Sequence, residues 1–309
     1  MTSEIPLTEG EADFHVEGAG KPCKTHYKIF GTFPSPTGTR PLIVLHGGPG
    51  VPHNYLLPIR FLAQHSIPII FYDQLGCGLS THLPHLTGPS GEKFWTPQLF
   101  LSELTNLTTH LKLTSYNLLG NSWGGMLAAM HAISQPTGLH KLVIADSPAS
   151  MADWLRTANK LRSQLPPSVQ ETLTKHEKDG TTGSAEYEAA VQVFYEKHVC
   201  RIVPFPQDVV DSFDALKEDD TVYLSMNGPS EFHITGTLLT WDIKRSLHKI
   251  NVPTLLLNGK YDEAQDEVME PYFREIQRVK WVRFAESSHM PQVEETEEYN
   301  FVVRGFLAD

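Results

Sequence analysis

No apolar run in this sequence approaches the roughly 20 residues that a membrane-spanning helix needs. The first residues, MTSEIPLTEGEADF, are acidic and lack the basic and apolar blocks of a secretory leader. Both absences lead to the expectation of a soluble, cytoplasmic chain with no membrane partner. Basic residues are also short: 25 Lys and Arg stand against 36 Asp and Glu, for a formal net charge of −11. Nucleic acid is therefore a poor partner, because a phosphate backbone needs a basic face. Cysteine is scarce, and Cys23, Cys77 and Cys200 follow the spacing of no disulfide or metal framework, so reduced thiols are expected. The histidines form no recognisable ligand pattern, and Gly47 to Gly50 lacks the Lys-Ser/Thr of a phosphate loop. Neither a metal nor another cofactor is expected. Low-complexity tracts and internal repeats are missing too.

What remains is an ordinary globular composition, 40% hydrophobic and 20% charged over 309 residues, enough to bury a sizeable core. Short runs rich in Val, Ile and Leu recur at 41–45, 68–72, 117–119, 141–145, 253–257 and 280–284. Continuous apolar runs without polar alternation are the pattern of parallel strands covered on both faces. Helical periodicity is expected near 97–112, 123–134, 264–277 and 294–307. An antiparallel hairpin is expected over Phe14 to Phe30, around Gly18-Ala19-Gly20. The strand rhythm stops between about Pro148 and Ile250, where charged helical segments such as Ala185 to His198 and Gln207 to Leu216 take over. The expected fold class is α/β, a mostly parallel central sheet flanked by helices. Residues 1–147 and 251–309 would form the core domain and 148–250 an inserted helical cap.

Residues 118–125 read LLGNSWGG. Gly120-Asn121-Ser122-Trp123-Gly124 fits the Gly-x-Ser-x-Gly elbow, in which a strand turns sharply into a helix and exposes a serine. A serine hydroxyl is a weak nucleophile at neutral pH and needs a histidine base oriented by an acid, which this fold supplies in the order Ser, Asp, His. Asp262 follows the run VPTLLLNGKYD and His289 follows KWVRFAESSH, so both fall at the same sheet edge as Ser122. An Asp after a strand is usually a helix cap and a single His is usually at the surface; their joint placement is what selects them. HGGPG at 46–50 follows the run PLIVL and offers backbone amides for an oxyanion. The N–H groups of Gly48 and Trp123 are the expected donors.

These motifs resemble the prolyl iminopeptidases, serine peptidases of the α/β-hydrolase fold that remove N-terminal residues. HGGPG, FYDQLGCGLS at 71–80, GNSWGG, GKYDE at 259–263 and SSHMP at 287–291 stand in that family's order and spacing. The segment MNGPSEFHITGTLLTWDI, 226–243, is most similar to the branch containing the archaeal tricorn-interacting aminopeptidase. The resemblance implies Ser122 as nucleophile, Asp262 as orienting acid and His289 as base. It also implies that Glu231 and Glu263 hold the substrate's α-ammonium group, the substrate being a short peptide or a small amide or ester. Two other readings share the fold: a hydrolase of a non-peptide amide, ester or lactone, and a catalytically silent binding protein. The intact serine, acid, base and glycines argue against the last. Oligomeric state is not legible in the sequence.

Overall fold

The computed structural model describes residues 4–308. One sheet carries the fold, built from β1 (Leu7–Phe14), β2 (Cys23–Phe30), β3 (Leu42–Leu45), β4 (Ile69–Tyr72), β5 (Tyr116–Asn121), β6 (Leu139–Ala145), β7 (Thr254–Gly259) and β8 (Val279–Phe284) in the order β1-β2-β4-β3-β5-β6-β7-β8. β3 to β8 are mutually parallel, and β1 and β2 form the antiparallel hairpin, with Leu7 opposite Phe30 and Phe14 opposite Cys23. The hairpin begins earlier than the sequence suggests. Phe14 closes its first strand, because the alternation continues backwards through polar residues of an exposed edge.

The central strands are apolar throughout because they feed two cores. Ile43, Leu45, Ile70, Tyr72, Leu118, Leu142, Ile144 and Leu256 point to one side, where the helix Trp123–Ile133 packs. Their neighbours Leu42, Val44, Ile69, Phe71, Leu119, Val143, Leu255 and Leu257 point to the other, against the 3₁₀ segment His53–His65 and the C-terminal helix. Alternation is present, but both faces are buried, so it carries no polar signature.

Between β6 and β7 run the helices Met151–Arg162, Pro167–Asp179, Ala185–His198, Gln207–Glu218 and Thr221–Met226, with two isolated bridges, Ser150 to Asp242 and Ser230 to His233, and no strand among the described residues. Gln207–Glu218 lies on the segment His53–His65, where Tyr55 N–H donates to Ser212 Oγ at 2.9 Å. The helix expected at 294–307 is in two pieces, Pro291–Glu294 and Thr296–Ala308. Glu294 and Glu295 at the break turn back toward the loop that carries His289.

Candidate active site

Ser122 stands alone between β5 and the helix Trp123–Ile133, with φ 56° and ψ −124°. A positive φ on a residue with a Cβ costs on the order of 1–3 kcal/mol and persists only where the surroundings fix it. Here Ser122 N–H donates to the Ala145 carbonyl at 2.9 Å, and the Ser122 carbonyl accepts from Gly125 and Met126 at 2.8 and 3.1 Å. The turn closes because its flanks are bare. A Cβ on Gly120 would strike the Gly124 carbonyl, and one on Gly124 would strike that of Leu45. Trp123 opens the helix, so its N–H has no partner one turn back.

Gly48 follows β3 with φ +104°, and its peptide to Pro49 is cis. The preceding Gly47 N–H is committed to Tyr55 Oη at 2.8 Å, which takes it out of consideration as an oxyanion donor, and Tyr55 O–H donates onward to Asn121 Oδ1 at 2.7 Å. The HGGPG turn is thus tied to the residue preceding the serine. The indole of Trp123 donates to Gln74 Oε1 at 2.8 Å, which fastens the FYDQLGCGLS loop to the same elbow. Cys77 in that loop is buried against His46.

Asp262, after β7, is wholly buried, and His289, after β8, is 5% exposed. His289 Nδ1 lies 2.6 Å from Asp262 Oδ1, which also accepts from Ala264 N–H at 2.8 Å. A carboxylate on Nδ1 keeps the proton there and leaves Nε2 to accept one. Burial opposes charge on His289, but the charge and hydrogen bond of Asp262 outweigh it, with help from Glu231 and Glu294, and raise its pKa above 6.5. Glu294 holds this loop by accepting from Ser288 N–H at 2.7 Å, and Glu295 accepts from Ser287 Oγ at 2.5 Å. Trp154, reaching in from Met151–Arg162, sets its ring edge-on to His289 with centroids 5.8 Å apart, while its indole N–H donates to the Glu231 carbonyl at 2.8 Å.

Ser122, His289, Gly48, Glu231 and Glu263 line one cavity of about 460 Å³, within the range of small-ligand sites. Trp123 lines a small adjoining recess with Ser122, Gly48 and Glu231. The structure therefore brings together all seven residues picked from the sequence, with Asp262 seated behind His289. Glu231 accepts from Tyr223 O–H at 2.6 Å. Among the described residues Glu263 pairs with no Lys or Arg: its Oε1 lies 3.9 Å from His289 Nε2, and its Oε2 is buried without a hydrogen bond. Burial, reinforced by the charges of Glu231 and Asp262, holds Glu263 well above the usual carboxylate range, and burial also raises Glu231. A buried carboxyl and a partly buried one, facing a cavity beside a serine and an imidazole, can receive a cation.

Tyr55, Asn121, Asp146, Trp154, Tyr223 and Glu294 also belong to this arrangement and were not singled out in the sequence. Asn121, as the variable position of the elbow, and Asp146, as the residue following a strand beside it, carried some positional signal. The others are brought in by tertiary packing alone.

A sequence model of the alpha/beta hydrolase fold matches residues 40–296. A proline iminopeptidase of Heyndrickxia coagulans is 36% identical over 278 residues, 90% of this chain and 94% of that protein. Among solved structures, the proline iminopeptidase of Mycobacterium smegmatis superposes with a TM-score of 0.86 at 41% identity, covering 97% of this chain and 98% of that one. VinJ superposes with a TM-score of 0.91 at 43% identity, with coverage of 97% and 98%. Fold, elbow and this similarity along nearly the whole length agree: the chain belongs to the proline iminopeptidase family of α/β hydrolases.

Proposed function

We propose that the protein is a serine aminopeptidase that releases an N-terminal residue from short peptides or aminoacyl amides. Ser122 attacks the scissile carbonyl, His289 Nε2 takes the hydroxyl proton and passes it to the leaving amine, and Asp262 holds the imidazolium. The amides of Gly48 and Trp123 receive the oxyanion, and water then resolves the acyl-enzyme by the reverse proton path. The observation that supports an N-terminal substrate is Glu263, a buried carboxyl in the cavity wall with an orphaned oxygen beside Glu231. An α-ammonium between them would supply the missing partner and fix the distance from the chain end to Ser122.

On this reading residues 148–250 act as a cap over the core formed by 1–147 and 251–309, and supply Glu231 together with the apolar wall of Tyr187, Val191, Tyr195 and Phe213. That wall also suits an amide of a small non-peptide molecule, which the same chemistry would cleave. Among the described residues no helix is long and apolar enough to cross a membrane.

Replacing Glu263 with Gln tests the amine anchor. kcat/KM on free-amine substrates is expected to fall roughly 10²- to 10³-fold, the effect of losing one member of a desolvated charge pair. Reaction with a serine-directed fluorophosphonate, which has no amine, should be retained. Unchanged kcat/KM, or equal loss in both assays, contradicts the assignment.

The pH dependence has a definite sign. His289 must be neutral to accept a proton and Glu263 must be ionised to hold a cation, and both have raised pKa values. Activity is therefore lost as pH falls, with the acid limb of kcat/KM above 6.5, and lost again where the substrate amine deprotonates, near about 8. A plateau extending below pH 6.5 contradicts this.

A further inference from the structure

Behind His289 lies a carboxyl that the acyl-transfer chemistry does not use. Asp146 directly follows β6, is fully buried with φ 53°, and is fixed by its N–H donating to the Leu257 carbonyl at 2.8 Å. Its Oδ2 accepts from Asn121 Nδ2 at 2.9 Å, and its Oδ1 has no hydrogen-bond partner among the described residues. Asp262 is similarly half satisfied: Oδ1 takes both His289 and Ala264, and Oδ2 takes nothing. A carboxyl oxygen of each Asp and a ring nitrogen of His289 lie within 4.8 Å of one another.

Two ionised carboxylates this close in a dry site repel strongly, and one shared proton removes both the repulsion and the two orphaned oxygens. We propose that Asp146 is a positioning residue that stays a neutral carboxylic acid and donates Oδ1–H to Oδ2 of Asp262, fixing the rotation of the carboxylate that orients His289. A single donor-to-acceptor chain then runs from the oxyanion turn to the base: Gly47 N–H to Tyr55, Tyr55 O–H to Asn121, Asn121 N–H to Asp146, and Asp146 O–H to Asp262, which accepts from His289. The proton belongs to Asp146 because Asp262 has the imidazole and a backbone amide to hold its charge, whereas Asp146 has only a neutral amide. Burial first, then the charge and hydrogen bond of Asp262, hold Asp146 well above the carboxylate range. Glu294 adds negative charge in the same sense, and the phenols of Tyr55 and Tyr299 lie in the same field without supplying a cation.

The inference rests on the roles given above to Ser122, Asp262 and His289, and its test separates the two. Asp146→Asn keeps a donor toward Asp262 and an acceptor toward Asn121. It is expected to retain kcat within about threefold and the wild-type acid limb, since no charge changes. Asp146→Ala is expected to lower kcat about 10- to 100-fold with little change in KM, as for a lost hydrogen bond to a charged group. Its acid limb should move upward, because Asp262 no longer shares its charge with a donor. Infrared difference spectra of wild type against Asp146→Asn at neutral pH should show a protonated-carboxyl C=O stretch that the variant lacks, whatever the enzyme's substrate proves to be. A folded Asp146→Asn as impaired as Asp146→Ala, or a missing acid band, overturns the proposal; a cation bound between the carboxyls would give that second result. If Asp146→Ala fails to fold by thermal melting, the Asn variant and the infrared band decide.

Discussion

Replacing Ser122 with Ala is expected to lower kcat on an aminoacyl amide by about 10⁴- to 10⁶-fold, while leaving the melting temperature near that of wild type. The size follows from how serine hydrolases respond to loss of the nucleophile: the remaining binding and oxyanion interactions sustain only a residual rate above water. The intact stability follows from the backbone. The elbow is held by main-chain hydrogen bonds to Ala145, Gly125 and Met126 and by the closeness that Gly120 and Gly124 allow, none of which involves the Ser122 hydroxyl. Alanine keeps the same Cβ at φ 56°, so the strain is unchanged. Stopped assays on a chromogenic amide, with melting followed in parallel, check both halves. A variant retaining a tenth of the wild-type rate would show that Ser122 is not the nucleophile, and loss of activity accompanied by unfolding would show that the hydroxyl has a structural part.

The positions of the strands from Leu42 to Gly259 were legible because runs of Val, Ile and Leu without polar alternation are the pattern of a doubly covered parallel strand. The elbow was legible because close backbone contacts at Gly120 and Gly124 forbid side chains and so leave a mark in the sequence. Asp262 and His289 could be read only by following the strands that end before them. Contacts made at long range left no such mark. Tyr55 sits in a 3₁₀ segment with no clear period and matters only because the chain folds its hydroxyl between Gly47 and Asn121. Glu294 and Glu295 look like the start of a solvent-facing helix, yet the helix breaks there so that both carboxylates can brace the His289 loop. Asp146 reads as an ordinary residue after a strand. Its meaning depends on Asp262, which lies 116 positions further along.

The second large effect concerns the substrate rather than the enzyme. Acetylating the amino group removes the cation and leaves the cavity-lining carboxyls of Glu263 and Glu231 facing a neutral, bulkier group. Sites built around a buried polar pairing reject an analogue lacking it by about 10⁴- to 10⁵-fold. Proline, alanine and phenylalanine amides, each with free and acetylated amino groups, would separate this requirement from the preference of the apolar wall for one side chain over another. The decisive quantity is the ratio of kcat/KM for the free over the acetylated form of the best of these amides, measured on wild-type enzyme. A ratio of about 10⁴ or more is predicted for an aminopeptidase anchored by Glu231 and Glu263; a ratio near one, with activity still abolished in Ser122→Ala, would contradict that anchor and leave a serine hydrolase indifferent to the amine.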